Sequence, residues 1–247
     1  MLKNSFTAIN AYKYAFPLIK KLGLWKYFIV PMVISFVTAV TIALAAWGLS
    51  DNLGSIIAKM WFWDWGKETF VTISEILGGL IIVILGLILY KHIVMAVSAP
   101  FMSPVSEKIE AHLSGSTHDE HRNTSNVGQL IRGIRINIRN LLLELLFTIP
   151  VLLLGLIPVI NLVTTPLAFL IQAYYAGFGN MDYTLERHKD YRESIDFVKK
   201  HRGFAVGNGI VFMLFLLIPL VGIILVLPLS VTAASVVTLR LLEKDKM

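Results

Sequence analysis

The chain has 247 residues, of which 56% are hydrophobic and only 15% charged, with a formal net charge of +6. Soluble domains carry about 25% charged residues, so the composition excludes an ordinary water-soluble protein and points to a polytopic membrane protein. The lack of cysteine excludes disulfides, thiolate metal sites and cysteine nucleophiles, and the positive balance favours anionic headgroups or an anionic solute.

Residues 4–22 are expected to form an amphipathic helix rather than a cleavable leader, because no short apolar core with a small-residue cleavage site follows the lysines. The first span is expected over 26–50, since Tyr27 to Ser50 is a 24-residue run without charge and about 20 residues cross a bilayer. Trp25, Tyr27 and Trp47 suit its interfaces. Ser35, Ala39 and Ala43 recur every four positions, so another helix can approach closely. The cluster Trp61-Phe62-Trp63-Asp64-Trp65 reads as an interfacial anchor, with a ligand-stacking platform as the alternative. The second span is expected over 69–97, with Lys91 and His92 near its end, and a cytoplasmic segment over 98–139.

Leu145 to Met181 and Gly203 to Leu239 are each 37 residues without charge. Each carries an Ile-Pro pair and a second proline, Pro158 then Pro166 and Pro219 then Pro228, which reads as an imperfect internal repeat. Of the 22 Lys and Arg residues, only Lys59 and Lys67 fall between the first two spans. The positive-inside rule then puts the termini and both later loops in the cytoplasm. Each 37-residue run must enter and return on one side. Two arms of about 15 residues reach about 22 Å, short of a hydrocarbon core of about 30 Å. The expected fold is therefore all-α: two long transmembrane helices plus two partly inserted, proline-tipped helical hairpins, over 140–181 and 203–239, joined by a cytoplasmic loop at 182–202. Non-helical backbone at depth must be covered by protein or line a wet cavity, so a homo-oligomer is expected.

Several polar groups stand out against this frame. Gly23, Leu24 and Lys26 open the first long helix, where free amides and a lysine suit a tetrahedral anion; snorkelling of Lys26 to headgroups is the alternative. Arg132, Arg135 and Arg139 share one helical face and would line an anion vestibule or lie on lipid phosphates. Glu144 enters the apolar block and is a proton relay or the ion-pair partner of Arg135 or Arg139 in a neighbouring protomer. At the first tip, Thr165 and Pro166 read as N-cap and first helical residue, with Asn161 and Thr164 adding polar groups at depth. The second tip, Leu220 to Leu227, has no polar side chain. His112, His118, Asp119, Glu120 and His121 match no metal-ligand spacing and read as a solvated loop. No nucleotide or hydrolase motif occurs, so no catalytic residue, metal, cofactor or nucleic-acid partner is expected.

The chain resembles the CysZ family of bacterial sulfate permeases, within the wider etoposide-induced-protein family. The likeness rests on Gly23-Leu24-Trp25-Lys26 with Pro31, on Ala99-Pro100-Phe101 with Glu107, and on Asp182-Tyr183 and His188. It extends through Lys199-Lys200-His201-Arg202 to the two Ile-Pro tips. Trp25 stands at the family's first basic position and Met102 at its asparagine. The resemblance implies two long spans, two inserted hairpins, an oligomer, and sulfate uptake across the bacterial inner membrane for cysteine biosynthesis. Its breadth also admits a non-transporting membrane scaffold, and a lipid-modifying membrane enzyme is a further alternative.

Overall fold

Apolar blocks broken by Gly23, by polar loops and by prolines fold, in a computed structural model, into eight helices among the described residues. These are α1 (Leu2–Lys21), α2 (Trp25–Ala58), α3 (Lys67–Ser114), α4 (Asn126–Leu154), α5 (Asn161–His188), α6 (Tyr191–Lys200), α7 (Arg202–Leu216) and α8 (Val221–Lys246). The structure describes residues 1–59, 67–114, 125–155, 159–218 and 221–246. The tryptophan cluster at 61–65, the histidines at 118 and 121, and Pro158 and Pro219 lie outside them. Among the described residues four segments are long and apolar enough to cross a membrane: Trp25–Leu49, Ile88–Ser114, Asn126–Leu154 and Ile224–Asp245. The protein is a multi-pass membrane protein.

α1 buries Ser5, Ala8, Ala11, Ala15 and Ile19, a stripe at helical spacing that lies on α7 and α8. Tyr12 fixes the contact by hydrogen bonds with Asn208 O (2.8 Å) and Ser230 Oγ (2.7 Å). α2 and α3 pack along each other. Ser35 is buried and Ala39 half-buried, whereas Ala43 is exposed. The tight point is at Gly86, where a Cβ would stand 2.3 Å from Ile42 Cγ2.

α3 does not end after the second span but continues through Pro100 and Pro104. A helical proline removes one backbone bond; here α5 braces the flanking carbonyls, with the Tyr183 hydroxyl on Met95 O (2.6 Å) and Arg187 on Ser103 O (3.1 Å). α4 likewise joins the expected cytoplasmic segment to the first hairpin arm, starting at Ser125, whose side chain accepts from Gly128 N. α7 has 15 residues, about 22 Å at about 1.5 Å per residue, which is too short to cross.

α8 sits in the middle, touching α1, α2, α3, α5 and α7. Its Val226, Leu227, Val231, Ala233 and Ala234 are fully enclosed. The outer faces are the apolar ones: Ile29, Val33, Phe36 and Trp47 of α2, and Val159, Leu162 and Val163 at the first tip, are exposed. Such a surface belongs in lipid or against other chains.

Candidate anion site and buried charge network

Gly23 ends α1 at φ +60°, the left-handed region that favours glycine. The Gly23 and Leu24 amides donate to Lys20 O (3.3 Å) and Ile19 O (3.0 Å), the pairing of a Schellman closure. Leu24 is fully buried. These two amides are spent on α1, so what the turn presents outward is the side chain of Lys26. Trp25 is held edge-on between Phe16 and Phe28. The Lys26 ammonium stands 5.2 Å from the Tyr27 ring centroid, and the Lys108 ammonium, from α3, stands 5.8 Å from the same ring. Lys21 Nζ and His112 Nε2 pair alongside at 3.4 Å. Helices α1, α2 and α3 thus bring four basic side chains to one end of the bundle. Lys108 escapes the sequence reading because only the continuation of α3 past Pro104 carries it back to α2.

The arginine face divides. Arg132 turns inward and forks onto Asp182, Nε to Oδ2 at 3.2 Å and Nη2 to Oδ1 at 2.9 Å, while also donating to Lys189 O (2.9 Å) and Ser194 Oγ (2.8 Å). Arg135 lies over the Tyr191 ring (4.1 Å) and Arg139 over Phe178 (5.3 Å). Arg135 and Arg139 border an open groove of about 910 Å³ with Ile134, Ile138 and Arg192.

Glu144 lies at the depth of Lys91 and His92, and joins them: Oε1 is 2.5 Å from Lys91 Nζ and Oε2 is 3.0 Å from His92 Nε2. All three are buried, and Asn137 Oδ1 faces His92 Nδ1 at 3.4 Å. The partner of Glu144 is thus on α3 of the same chain, in place of Arg135 or Arg139 of a neighbour. Sequence spacing cannot show this, because it depends on the register between α3 and α4.

At the first tip α5 begins at Asn161, with Ile160 at the N-cap position and no side-chain cap. Pro166 lies inside the helix, so Thr165 is not the cap. Its hydroxyl instead donates to Asn161 Oδ1 one turn back (2.5 Å), and the Thr164 hydroxyl faces Asn161 O at 3.5 Å.

A second charge network has no counterpart in the site residues read from sequence. Glu110 Oε2 accepts from Arg187 Nη2 (2.9 Å) and His188 Nε2 (3.1 Å), and Ser106, Thr184 and Ser235 extend the contact to α8. The signal is present in Asp182-Tyr183 and His188, but Glu110, not the exposed Glu107, completes it. Next to it Glu186 is buried, and its Oε1 has no hydrogen-bond partner among the described residues. Burial pushes its carboxyl up to about 7; the Ser103 hydrogen bond opposes this, and the charge of Asp182 adds to it.

That raised value has a sign. At this carboxyl the folded protein holds a proton that the unfolded chain has lost between about pH 4.3, the ordinary glutamate value, and about 7. The stability that Glu186 contributes must therefore fall as pH rises through this window and level off above it. Glu186→Gln is expected to match wild type near pH 5 and exceed it at pH 8, by roughly 1–3 kcal/mol. Thermal unfolding of both proteins in detergent across that range checks this; parallel curves would contradict it.

No metal-ligating group of three or more His, Asp or Glu occurs among the described residues. Residues 11–227 match the family described as Sulfate transporter CysZ/Etoposide-induced protein 2.4. Over 163 residues the chain is 27% identical to the Sulfate transporter CysZ of Pseudomonas aeruginosa (strain LESB58), covering 65% of this chain and 66% of that protein. Over 141 residues it is 30% identical to the Sulfate transporter CysZ of Vibrio cholerae serotype O1 (strain ATCC 39541 / Classical Ogawa 395 / O395), covering 56% of each. The match thus spans 66% or less of the length of these relatives. The family match runs from α1 into α8 and includes the Gly23 turn, Lys108 and the Lys91–Glu144 pair. This chain belongs to the Sulfate transporter CysZ/Etoposide-induced protein 2.4 family.

Proposed function

We propose that this protein is an anion permease or channel of the bacterial inner membrane, that it carries sulfate or a related oxyanion for cysteine biosynthesis, and that it works as a homo-oligomer. The relatives' names support transport and sulfate over a scaffold or a lipid-modifying enzyme. The observation that carries the site is the convergence of Lys26 and Lys108 on Tyr27. Two ammonium groups from separate helices, at an exposed turn, give a doubly charged oxyanion two charge-assisted partners. Gly23 and Leu24 position this pair through the turn they close.

Arg135 and Arg139 raise the local anion concentration, whereas Arg132 and Glu144 serve as struts. Asn161, Thr164 and Thr165 place polar groups on the path at the first tip. In the bilayer α2 and α3 are the two long spans, and α4–α5 and α7–α8 are hairpins entering from the cytoplasmic face, where both termini lie. Single cysteines at Asp190 and Lys67 test this orientation: the first should resist an impermeant thiol reagent in intact cells and the second should react. The reverse pattern would overturn it.

The site is tested by equilibrium binding of radiolabelled sulfate in detergent at low salt. Lys26→Ala and Lys108→Ala should each weaken binding roughly tenfold, the worth of one charge-assisted hydrogen bond, and Lys26→Arg should restore it because its planar fork suits an oxyanion. Equal affinity in wild type and both alanine variants would leave the pair as headgroup anchors.

A further inference from the structure

A cavity of about 590 Å³ opens between α4, α5 and α7, within the size range of ligand pockets. It is not uniform. Phe147 of α4 and Leu167, Leu170 and Ile171 of α5 make an apolar wall, and Tyr174 follows on α5 toward a rim that carries Lys199 of α6 and Arg202 of α7. From Leu167 to Tyr174 is seven residues, about 10 Å along the helix axis. One end of the cavity is therefore hydrocarbon and the other cationic.

The rim charges are available. Lys200 is committed to Asp245 at 2.9 Å. Among the described residues Lys199 pairs only with Asp196, at 3.8 Å with both side chains mostly exposed, a geometry worth little. Arg202 has no ion pair among the described residues. It is also the first residue of α7, whose N-cap His201 makes no side-chain cap hydrogen bond, so the helix dipole adds to the positive field there.

We infer that this cavity is a binding site for an anionic phospholipid, with an acyl chain along Phe147, Leu167, Leu170 and Ile171 and the headgroup phosphate on Lys199 and Arg202. A free oxyanion would use the rim but leave the apolar wall unfilled. A second copy of this chain brings the same net charge of +6 to a rim that carries Lys199 and Arg202, with no carboxylate among the residues described as lining the cavity. An amphiphile with an anionic head satisfies both ends at once. The site is separate from Lys26 and Lys108 and does not rest on the sulfate reading.

The test is native mass spectrometry of the full chain in detergent, titrated with phosphatidylglycerol or phosphatidylcholine of identical acyl chains. Each basic residue near a lipid headgroup is worth about 1 kcal/mol, so two convert to a preference for phosphatidylglycerol of about 30-fold. Lys199→Ser with Arg202→Ser should abolish that preference while leaving residual binding of both lipids. Ile171→Trp, which fills the apolar end, should lower binding of both. Lys59→Ser, a basic residue elsewhere, should change nothing. Equal binding of the two lipids by wild type, or a preference that survives the double substitution, would overturn the inference. Full displacement of phosphatidylglycerol by millimolar sulfate would also overturn it, by making the rim a site for the free anion. So would a change in oligomeric mass with Ile171→Trp at unchanged lipid binding, because the cavity would then be an interface between copies.

Discussion

Replacement of Glu144 by Leu is expected to destabilise the protein by about 3–5 kcal/mol, enough to abolish a monodisperse folded species. The size follows from what is left behind. Lys91 and His92 are buried against Glu144, and removing one member of such a group strands a charge without water or counter-ion. The Coulomb attraction is not the decisive quantity, because desolvation of the separate ions cancels much of it. The double change Glu144→Leu with Lys91→Met is therefore expected to recover most of the loss, since apolar residues of similar volume replace a buried pair at little cost. Thermal unfolding with size-exclusion profiles in detergent distinguishes the outcomes. A stable Glu144→Leu single variant would show that water reaches Lys91, and an unrecovered double variant would give Glu144 a role beyond the pair.

Gly209→Ala is expected to be the most damaging glycine substitution. At the crossing of α5 and α7 a Cβ on Gly209 would lie 1.7 Å from Ala173 O, and one on Gly177 would lie 1.8 Å from Ala205 O. The contact is reciprocal: each helix offers an alanine carbonyl to a glycine four residues along on the other. Neither carbonyl can rotate away as a side chain could, so the helices themselves must separate. Overpacking a core costs about 1–3 kcal/mol, and a clash with rigid backbone on both sides belongs at the upper end. Gly48→Ala is the contrasting case: nothing stands within 4 Å of its Cβ position, and the gain in helix propensity should stabilise by up to about 1 kcal/mol. Equal melting temperatures for the two alanine variants would contradict the close crossing.

The helical class and the division into apolar blocks were legible in the sequence because both follow from local composition. α1 runs over Leu2–Lys21 with Ala8, Ala11 and Ala15 on its buried stripe, a pattern set by local sequence. Less legible were the ends of α3 and α4. The second span is expected to end at 97, yet α3 runs on through Pro100 and Pro104, where Tyr183 and Arg187, more than 80 residues away, hydrogen-bond the nearby Met95 and Ser103 carbonyls. The start of α5 shows the same limit on a smaller scale: Thr165-Pro166 is a good capping pair, but Asn161 satisfies the threonine hydroxyl one turn earlier.

For the proposed site, the Gly23 turn and Lys26 stand together in the sequence as a motif, whereas Lys108 is brought to them only by the packing of α3 on α2. The ion pairs of Arg132 with Asp182 and of Glu144 with Lys91 join residues about 50 positions apart. Charge counting along the chain supplies the candidates for such pairs but not the register that selects among them. Glu110 illustrates the cost of that gap. It and Glu107 are one helical turn apart, and only packing against α5 decides which carboxylate meets Arg187 and His188.

Radiolabelled sulfate uptake into proteoliposomes, with phosphate, chloride and unlabelled sulfate as competitors, tests the transport reading most directly. Uptake should exceed that of protein-free liposomes, should fall with unlabelled sulfate far more than with chloride, and should drop with Lys26→Ala at unchanged reconstitution. Uptake no greater than in protein-free liposomes, from protein that is folded and inserted, would contradict the assignment.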